Sequence, residues 1–368
     1  MIVHFLYEPG DGGLDRVAIL LANGMANRGL PVELWLVKDE GATASLIDRG
    51  KVKVRILPTS NIGSRGFRLF RIIPALARMI REHKPRAILS AGNQSNLVIA
   101  LAGRLAGRNK TAIIQKITNP IRHPNMPELT AAIRKARFEW TARLGDMCLV
   151  LSKADADAYR ALLPKASEKF QAVRNAYVTD EMLAIGRKRK QHEQGVPILF
   201  LAVGRLVKQK YYEMMLRALA QLSDIPWTLT ILGDGPLREV LKALASRLGI
   251  ADQVRFTGFT QETASYYSGS DILLLSSRWE GFPAAPLEAL ASGCDIVMTD
   301  CAGGLNDILH DLGYEPVAID DDEAFAKSIS YKISNPSDPK KMIEIAMQYS
   351  IEASVDDHLR LIDEIRPV

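Results

Sequence analysis

Residues 274–293 read LLSSRWEGFPAAPLEALASG, and most of the functional information in the chain sits here. The apolar run leading into it, Asp271-Ile272-Leu273-Leu274-Leu275, has the continuity of a parallel strand buried on both faces. A short loop with Glu280-Gly281-Phe282-Pro283 follows, and a helix carrying Glu288 is expected from about Pro286. Two carboxylates eight residues apart therefore fall beyond the carboxyl end of one strand. In open α/β sheets, ligands bind in the crevice at that end.

Working outward, strand-then-helix alternation runs through the whole chain, which argues α/β architecture. Strands are expected at 2–7, 31–37, 53–57, 86–90, 111–117 and 146–151. Amphipathic helices fall between them, at about 13–28, 68–83, 95–107, 128–144 and 153–163. Arg187 to Gly195 is polar and reads as a linker. A second strand series then starts at 198–203 and continues at 227–232, 254–256, 271–275, 296–299 and 317–319. The expected division is an N-terminal Rossmann-like domain over 1–180, a second over 181–350, and a final helix in 351–368. No repeat of solenoid length and no low-complexity tract interrupts this pattern.

Composition narrows the class. At 368 residues, 47% hydrophobic and 24% charged, the chain is an ordinary globular protein with room for two domains. Three cysteines, Cys148, Cys294 and Cys301, form no disulfide framework, so a reducing compartment, the cytoplasm, is expected. No apolar stretch reaches the ~18 residues of a membrane span, and the N-terminus opens directly into a strand rather than a signal peptide. Charge is uneven: residues 1–180 hold 28 Lys+Arg against 15 Asp+Glu, and residues 181–368 hold 19 against 27. The first half is expected to meet something anionic that the second half does not.

Three further loops stand at strand ends. Strand 198–203 runs into Gly204-Arg205-Leu206-Val207-Lys208-Gln209-Lys210. Arg can chelate two phosphate oxygens, while Lys acts as a point charge. Strand 227–232 ends in Gly233-Asp234-Gly235-Pro236, whose glycines permit close backbone approach. The first strand ends in Gly12-Gly13 at the head of a helix, where backbone N–H groups meet the positive end of the helix dipole. His residues are few and no ligand spacing for a metal appears; Asp320-Asp321-Asp322-Glu323 reads as a helix N-terminus.

The stretch W-E-G-F-P-x-x-P-L-E-A-L-A-S-G resembles the E-x7-E motif of retaining nucleotide-sugar glycosyltransferases of the GT-B fold, family four, and G-R-L-x-x-x-K resembles that family's diphosphate clamp. The resemblance implies two Rossmann-like domains facing each other across a deep cleft, with the final helix crossing back onto the first. It implies a retaining, front-face hexosyl transfer from a nucleotide diphosphate sugar, UDP-sugar favoured, to a glycan or lipid-linked glycan acceptor, without metal or cofactor and without nucleic acid. Such work belongs to cell-envelope polysaccharide or lipopolysaccharide synthesis.

Residue by residue, the resemblance makes Arg205, Lys210 and Glu280 the catalytic set. Gly12, Gly13, Gly204, Gly233, Phe259, Gly281, Phe282 and Glu288 would hold the donor, with Glu288 on the ribose. Asn119 and His123, in the loop after strand 111–117, are candidates for the sugar and acceptor. Pro286 and Ala284 depart from the family pattern, the first by lacking an N–H. A catalytically silent GT-B binding subunit and a GT-B nucleotide-sugar epimerase remain as alternatives. Leu69, Ile72, Ile73, Leu76 and Ile80 recur at helical spacing between Arg68, Arg71, Arg78, Arg81 and Lys84, with a break expected at Pro74. A core-packed helix with a solvated basic edge is the commoner meaning of that pattern. Yet Arg65, Arg104, Arg108, Lys110 and Arg122 add charge to the same domain, and together these basic residues point to peripheral docking on an anionic membrane surface.

Overall fold

The computed structural model describes residues 1–365 apart from 11, 59–62, 108–109, 119–120, 122–125, 190–194, 261 and 302. Two compact units emerge: Met1–Ala176 with Ile351–Val368, and Tyr177–Ser350.

In chain order the first unit contains β1 (Ile2–Leu6), α1 (Gly13–Asn27), β2 (Val32–Leu36), β3 (Lys53–Ile56), α2 (Arg65–Arg71), α3 (Ile73–His83), β4 (Ala87–Ser90), α4 (Asn93–Leu105), β5 (Ala112–Lys116), α5 (Glu128–Leu144), β6 (Met147–Val150), α6 (Lys153–Leu162) and β7 (Phe170–Ala172). The strands form a parallel sheet in the order β3-β2-β1-β4-β5-β6-β7. Every residue of β1, β2, β4, β5 and β6 is buried, as strands covered on both faces require. The expected helix over 68–83 is two: Pro74 sits in the first turn of α3, where its missing N–H removes no helical bond. The short strand β7 was not anticipated; three residues leave little periodicity to read.

The second unit contains α7 (Asp180–Lys188), β8 (Ile198–Val203), α8 (Tyr212–Leu219), β9 (Trp227–Leu232), α9 (Arg238–Arg247), β10 (Val254–Gly258), α10 (Thr263–Ser268), β11 (Ile272–Leu275), α11 (Ala284–Ala291), β12 (Asp295–Met298), α12 (Gly303–Asp311), α13 (Asp322–Ser334) and α14 (Pro339–Met347). Its parallel sheet has the order β10-β9-β8-β11-β12. The strand expected at 317–319 reduces to a single bridge between Thr299 and Val317. The linker expected at 187–195 is shortened at its start, while 190–194 lie outside the described residues. Arg187 and Lys188 end α7, whose N-terminus is capped by the Thr179 hydroxyl accepting from Met182 N at 3.4 Å. Polar residues at its end conceal a buried face of Met182, Leu183 and Gly186; a Cβ on Gly186 would lie 2.2 Å from the Ala291 carbonyl of α11.

Helix α15 (Ile351–Glu364) clusters with the first unit and packs on α1. Val355, His358, Leu361 and Ile362 recur at helical spacing and are buried. Gly24 lets the two helices close, since a Cβ there would lie 2.6 Å from Ile351. Arg28 pairs with Asp356, Arg86 with Asp363, and Arg174 holds Asp357 through two bonds of 2.7 and 3.0 Å.

Candidate active site

The sheet of the second unit grows away from β8 in both directions, β9 and β10 on one side and β11 and β12 on the other. The crevice beyond β8 and β11 is therefore a topological switch point, where the connecting loops diverge. Arg205 and Lys210 follow β8; Glu280 follows β11 and Glu288 lies on α11. Lys210 Nζ donates to Glu280 Oε1 at 2.7 Å, the two side chains being 19% and 11% exposed. The same oxygen accepts from Ser277 Oγ at 2.6 Å. One main-chain and one side-chain bond lock the two loops together: Arg278 N donates to Gln209 O at 2.8 Å, and Gln209 Nε2 to Trp279 O at 2.8 Å. Ser276 Oγ shares its proton between the Lys210 and Tyr211 carbonyls at 3.0 Å.

Arg205 is exposed, and its guanidinium has no hydrogen-bond or ion-pair partner among the described residues. An unpaired cation beside a paired one is a ready receptor for a polyanion. The glycines of these loops let the backbones approach closely. A Cβ on Gly233 (φ +135°) would lie 2.0 Å from Gly204 O, and one on Gly235 would lie 2.5 Å from Leu206 O. Leu206 N donates to Asp234 O at 2.9 Å. Gly233 thus lets the loop after β9 lie directly on the loop after β8 and supports the clamp from behind.

Glu288 is 5% exposed, and its Oε2 accepts from the hydroxyl of the fully buried Tyr267 at 2.9 Å. Phe282 is buried in a stack with Tyr177 at 6.0 Å and Tyr349 at 5.4 Å, and its carbonyl accepts from Tyr177 Oη at 3.0 Å. Its ring fixes the loop, so any donor contact at Gly281–Phe282 must come from the main chain. Pro286 is the third residue of α11, where a backbone N–H has no acceptor within the helix. The departure from the family pattern therefore leaves α11 intact. Phe259, just after β10, is 53% exposed.

In the first unit, Gly12 caps α1 and Gly13 begins it. Asp15 already sits at this helix start, close enough that a Cβ on Gly10 would lie 2.8 Å from its Oδ2. The dipole there is met at least in part by the chain's own carboxylate. Asn119 and His123 lie outside the described residues. Among the described residues no cluster of three or more His, Cys, Asp or Glu could hold a metal. Asp320, Asp321 and Asp322 are otherwise engaged, with Arg278, as the cap of α13, and with Arg217.

Residues 185–349 match the family described as glycosyl transferases group 1, and residues 12–176 match the glycosyl transferase 4-like domain. The chain belongs to the GT-B glycosyltransferases. It is 24% identical to the lipopolysaccharide core biosynthesis glycosyltransferase LpsE of Rhizobium meliloti, over 98% of each chain. It is 25% identical to a Campylobacter jejuni N-acetylgalactosaminyltransferase acting on a diphospho-undecaprenol-linked sugar, over 83% of this chain and 82% of that one. Its fold is similar to that of HepE from Anabaena, solved with UDP and glucose, with a TM-score of 0.75 and 16% identity over 99% of each chain.

Two features of this glycosyltransferase escaped the sequence reading. Lys116, at the end of β5, is buried, and its Nζ lies 3.4 Å from His358 Nε2 on α15. His358 Nδ1 lies 2.7 Å from Ser354 O, which leaves Nε2 to accept from the lysine. Burial pushes Lys116 down to about 7; burial, then the nearby lysine, pushes His4 down to about 3. His358 is likewise held well below its ordinary value by burial first. A cavity of about 10 Å³ adjoins His4, Ser90 and Lys116, room for one water. The second feature is the exposed apolar surface. Leu69, Ile72, Leu76 and Ile80 belong to the core, the commoner meaning of their spacing. The glycosyltransferase instead exposes Phe67 and Phe70 on α2, and Leu129, Ile133 and Trp140 along one face of α5. No described helix is long and apolar enough to cross a membrane.

Proposed function

We propose that this glycosyltransferase transfers a hexose from a nucleoside diphosphate sugar, a UDP-sugar, to a glycan or lipid-linked glycan of cell-envelope polysaccharide or lipopolysaccharide. The observation that carries the reading is the Lys210–Glu280 pair at the β8–β11 switch point, with Arg205 on the same loop as Lys210. A diphosphate leaving group gains charge as the glycosidic bond breaks. Fixed cations aimed at it lower the barrier more than they stabilise the bound donor. Arg205 offers its free guanidinium fork. Lys210, with one N–H on Glu280, keeps two further donors for phosphate oxygens. Glu280 accepts from a hydroxyl of the transferred sugar, and Glu288, oriented by Tyr267, from the ribose.

In this scheme the donor phosphate itself takes the proton of the attacking acceptor hydroxyl on the face it leaves, so the anomeric configuration is kept. Positioning and charge are the protein's contribution, and no metal or cofactor is needed. LpsE, the Campylobacter enzyme and the UDP-bound HepE support the donor and acceptor classes. The first unit would rest on an anionic membrane surface on the cytoplasmic side, through Phe67 and Phe70 with Arg71, and through Leu129, Ile133 and Trp140 with Lys135 and Arg137. Sedimentation with anionic vesicles, released by salt, reads that attachment. The central test is proton NMR of donor turnover with a panel of nucleotide sugars. We expect a UDP-hexose to be consumed and its sugar to appear with the donor's anomeric configuration. An inverted product, or turnover of none of the panel, contradicts the proposal.

A further inference from the structure

The loop that carries Lys210 turns into α8 through Tyr211, whose backbone is left-handed, with φ +49°. A bulky side chain is rare in that region because its Cβ crowds the following carbonyl. Glycine would adopt it freely, so something must hold the tyrosine there. The Arg278 guanidinium lies 3.7 Å over the centre of the Tyr211 ring. Arg278 in turn grips Asp320 with two bonds of 2.8 and 3.1 Å. The Tyr211 hydroxyl accepts from Arg217 Nη2 at 3.3 Å, and Arg217 is anchored on Asp322. Asp320 is itself left-handed, with φ +67°. Two of the four described non-glycine residues with positive φ are therefore bridged by one arginine beside the clamp.

We propose that Tyr211, Arg278 and Asp320 form a brace that positions Lys210 and Glu280 for transfer, Tyr211 being its keystone. Lys210 immediately precedes the left-handed turn, and Glu280 stands two residues beyond Arg278. The brace thus sets both ends of the 2.7 Å ion pair at once. The carbonyl bonds from Ser276 and the Arg278-to-Gln209 main-chain bond keep that register. An ordinary φ at residue 211 would redirect Lys210 away from the loop after β11. Tyr211 makes no claim to touch the substrate; it is a positioning residue. The inference rests on the functional reading above for what the braced pair does, but the bracing itself is a property of the chain alone.

The test combines hydrogen exchange of the whole chain, read by mass spectrometry, with kinetics. Tyr211→Gly keeps the left-handed backbone and removes the ring. It should raise exchange about tenfold at the amides of 207–212 and 277–281, with β9 unchanged, as a local opening does. Tyr211→Phe keeps the ring beneath Arg278 and should stay within about threefold of wild type. Adding Arg278→Ala to Tyr211→Gly should change little further, because coupled residues are non-additive. In turnover, Tyr211→Gly should lower kcat about tenfold with KM nearly constant, the scale of a small misplacement. Wild-type exchange in both loops of Tyr211→Gly overturns the brace. The exchange arm needs no substrate, so it decides the brace even if the chain transfers no sugar. Failure of the wild type to bind UDP counts against the functional reading alone.

Discussion

The two units each place a lysine at or just past the end of a central parallel strand, and give it opposite surroundings. Lys210, in the second unit, is partly exposed, paired with Glu280 and set beside the unpaired Arg205. Lys116, in the first, is buried against apolar residues and two histidines, and burial lowers it to about 7. The same side chain faces a carboxylate in one place and apolar surroundings in the other. A phosphate ligand needs a cation it can reach, and Lys116 is buried while Lys210 is partly exposed. The first unit's lysine spends its hydrogen bond on α15.

The comparison breaks most readily on turnover. Arg205→Ala or Lys210→Ala should lower the transfer rate ~100-fold or more, the scale for removing one transition-state charge stabiliser. Lys116→Met, at the same assay pH, should stay within about threefold, because it removes no charge from the site. Rate assays at saturating donor decide this, and a Lys116→Met loss equal to that of Lys210→Ala would erase the contrast.

A smaller effect concerns stability. His4 titrates near 3 in the fold against 6.5 in the unfolded chain, so its contribution is full above about pH 6.5 and fades as pH falls. Lys116 is lowered from 10.5 to about 7; between those values the unfolded chain binds more protons, so stability rises with pH. Both signs agree: the melting temperature should climb from pH 6 to pH 9. Lys116→Met should flatten the part above pH 7, a change on the order of a few degrees. Thermal unfolding across that range checks it, and a wild-type profile that falls toward pH 9 refutes the assignment.

Legibility followed the range of the interactions. The E-x7-E and G-R-L-x-x-x-K segments were readable because a buried strand, a glycine and charges fall within a dozen residues. Their meeting at a switch point needs only strand order, which α/β alternation makes predictable. Lys116 and His358 stand 242 residues apart, and nothing local marks either as a partner. Tyr211 reads as an ordinary first residue of a helix, since φ leaves no trace in a side-chain pattern. The packing of Phe282 was not legible, because its ring stacks on Tyr177 and Tyr349, neither of them near it in sequence. The stripe from Leu69 to Ile80 reads more readily as a core-packed helix face, and packing against the sheet places it there.

Calorimetric titration of UDP tests the central claim most directly, using wild type, Lys210→Ala, Glu288→Ala, Glu280→Ala and Lys116→Met. Lys210→Ala and Glu288→Ala should each weaken binding about tenfold or more, the loss of a charge-assisted contact. Glu280→Ala releases Lys210 from its 2.7 Å partner, so UDP should bind as tightly as to wild type or somewhat better. Lys116→Met should bind as wild type does. Undiminished UDP affinity in Lys210→Ala, or a loss in Glu280→Ala equal to that in Glu288→Ala, would contradict the account.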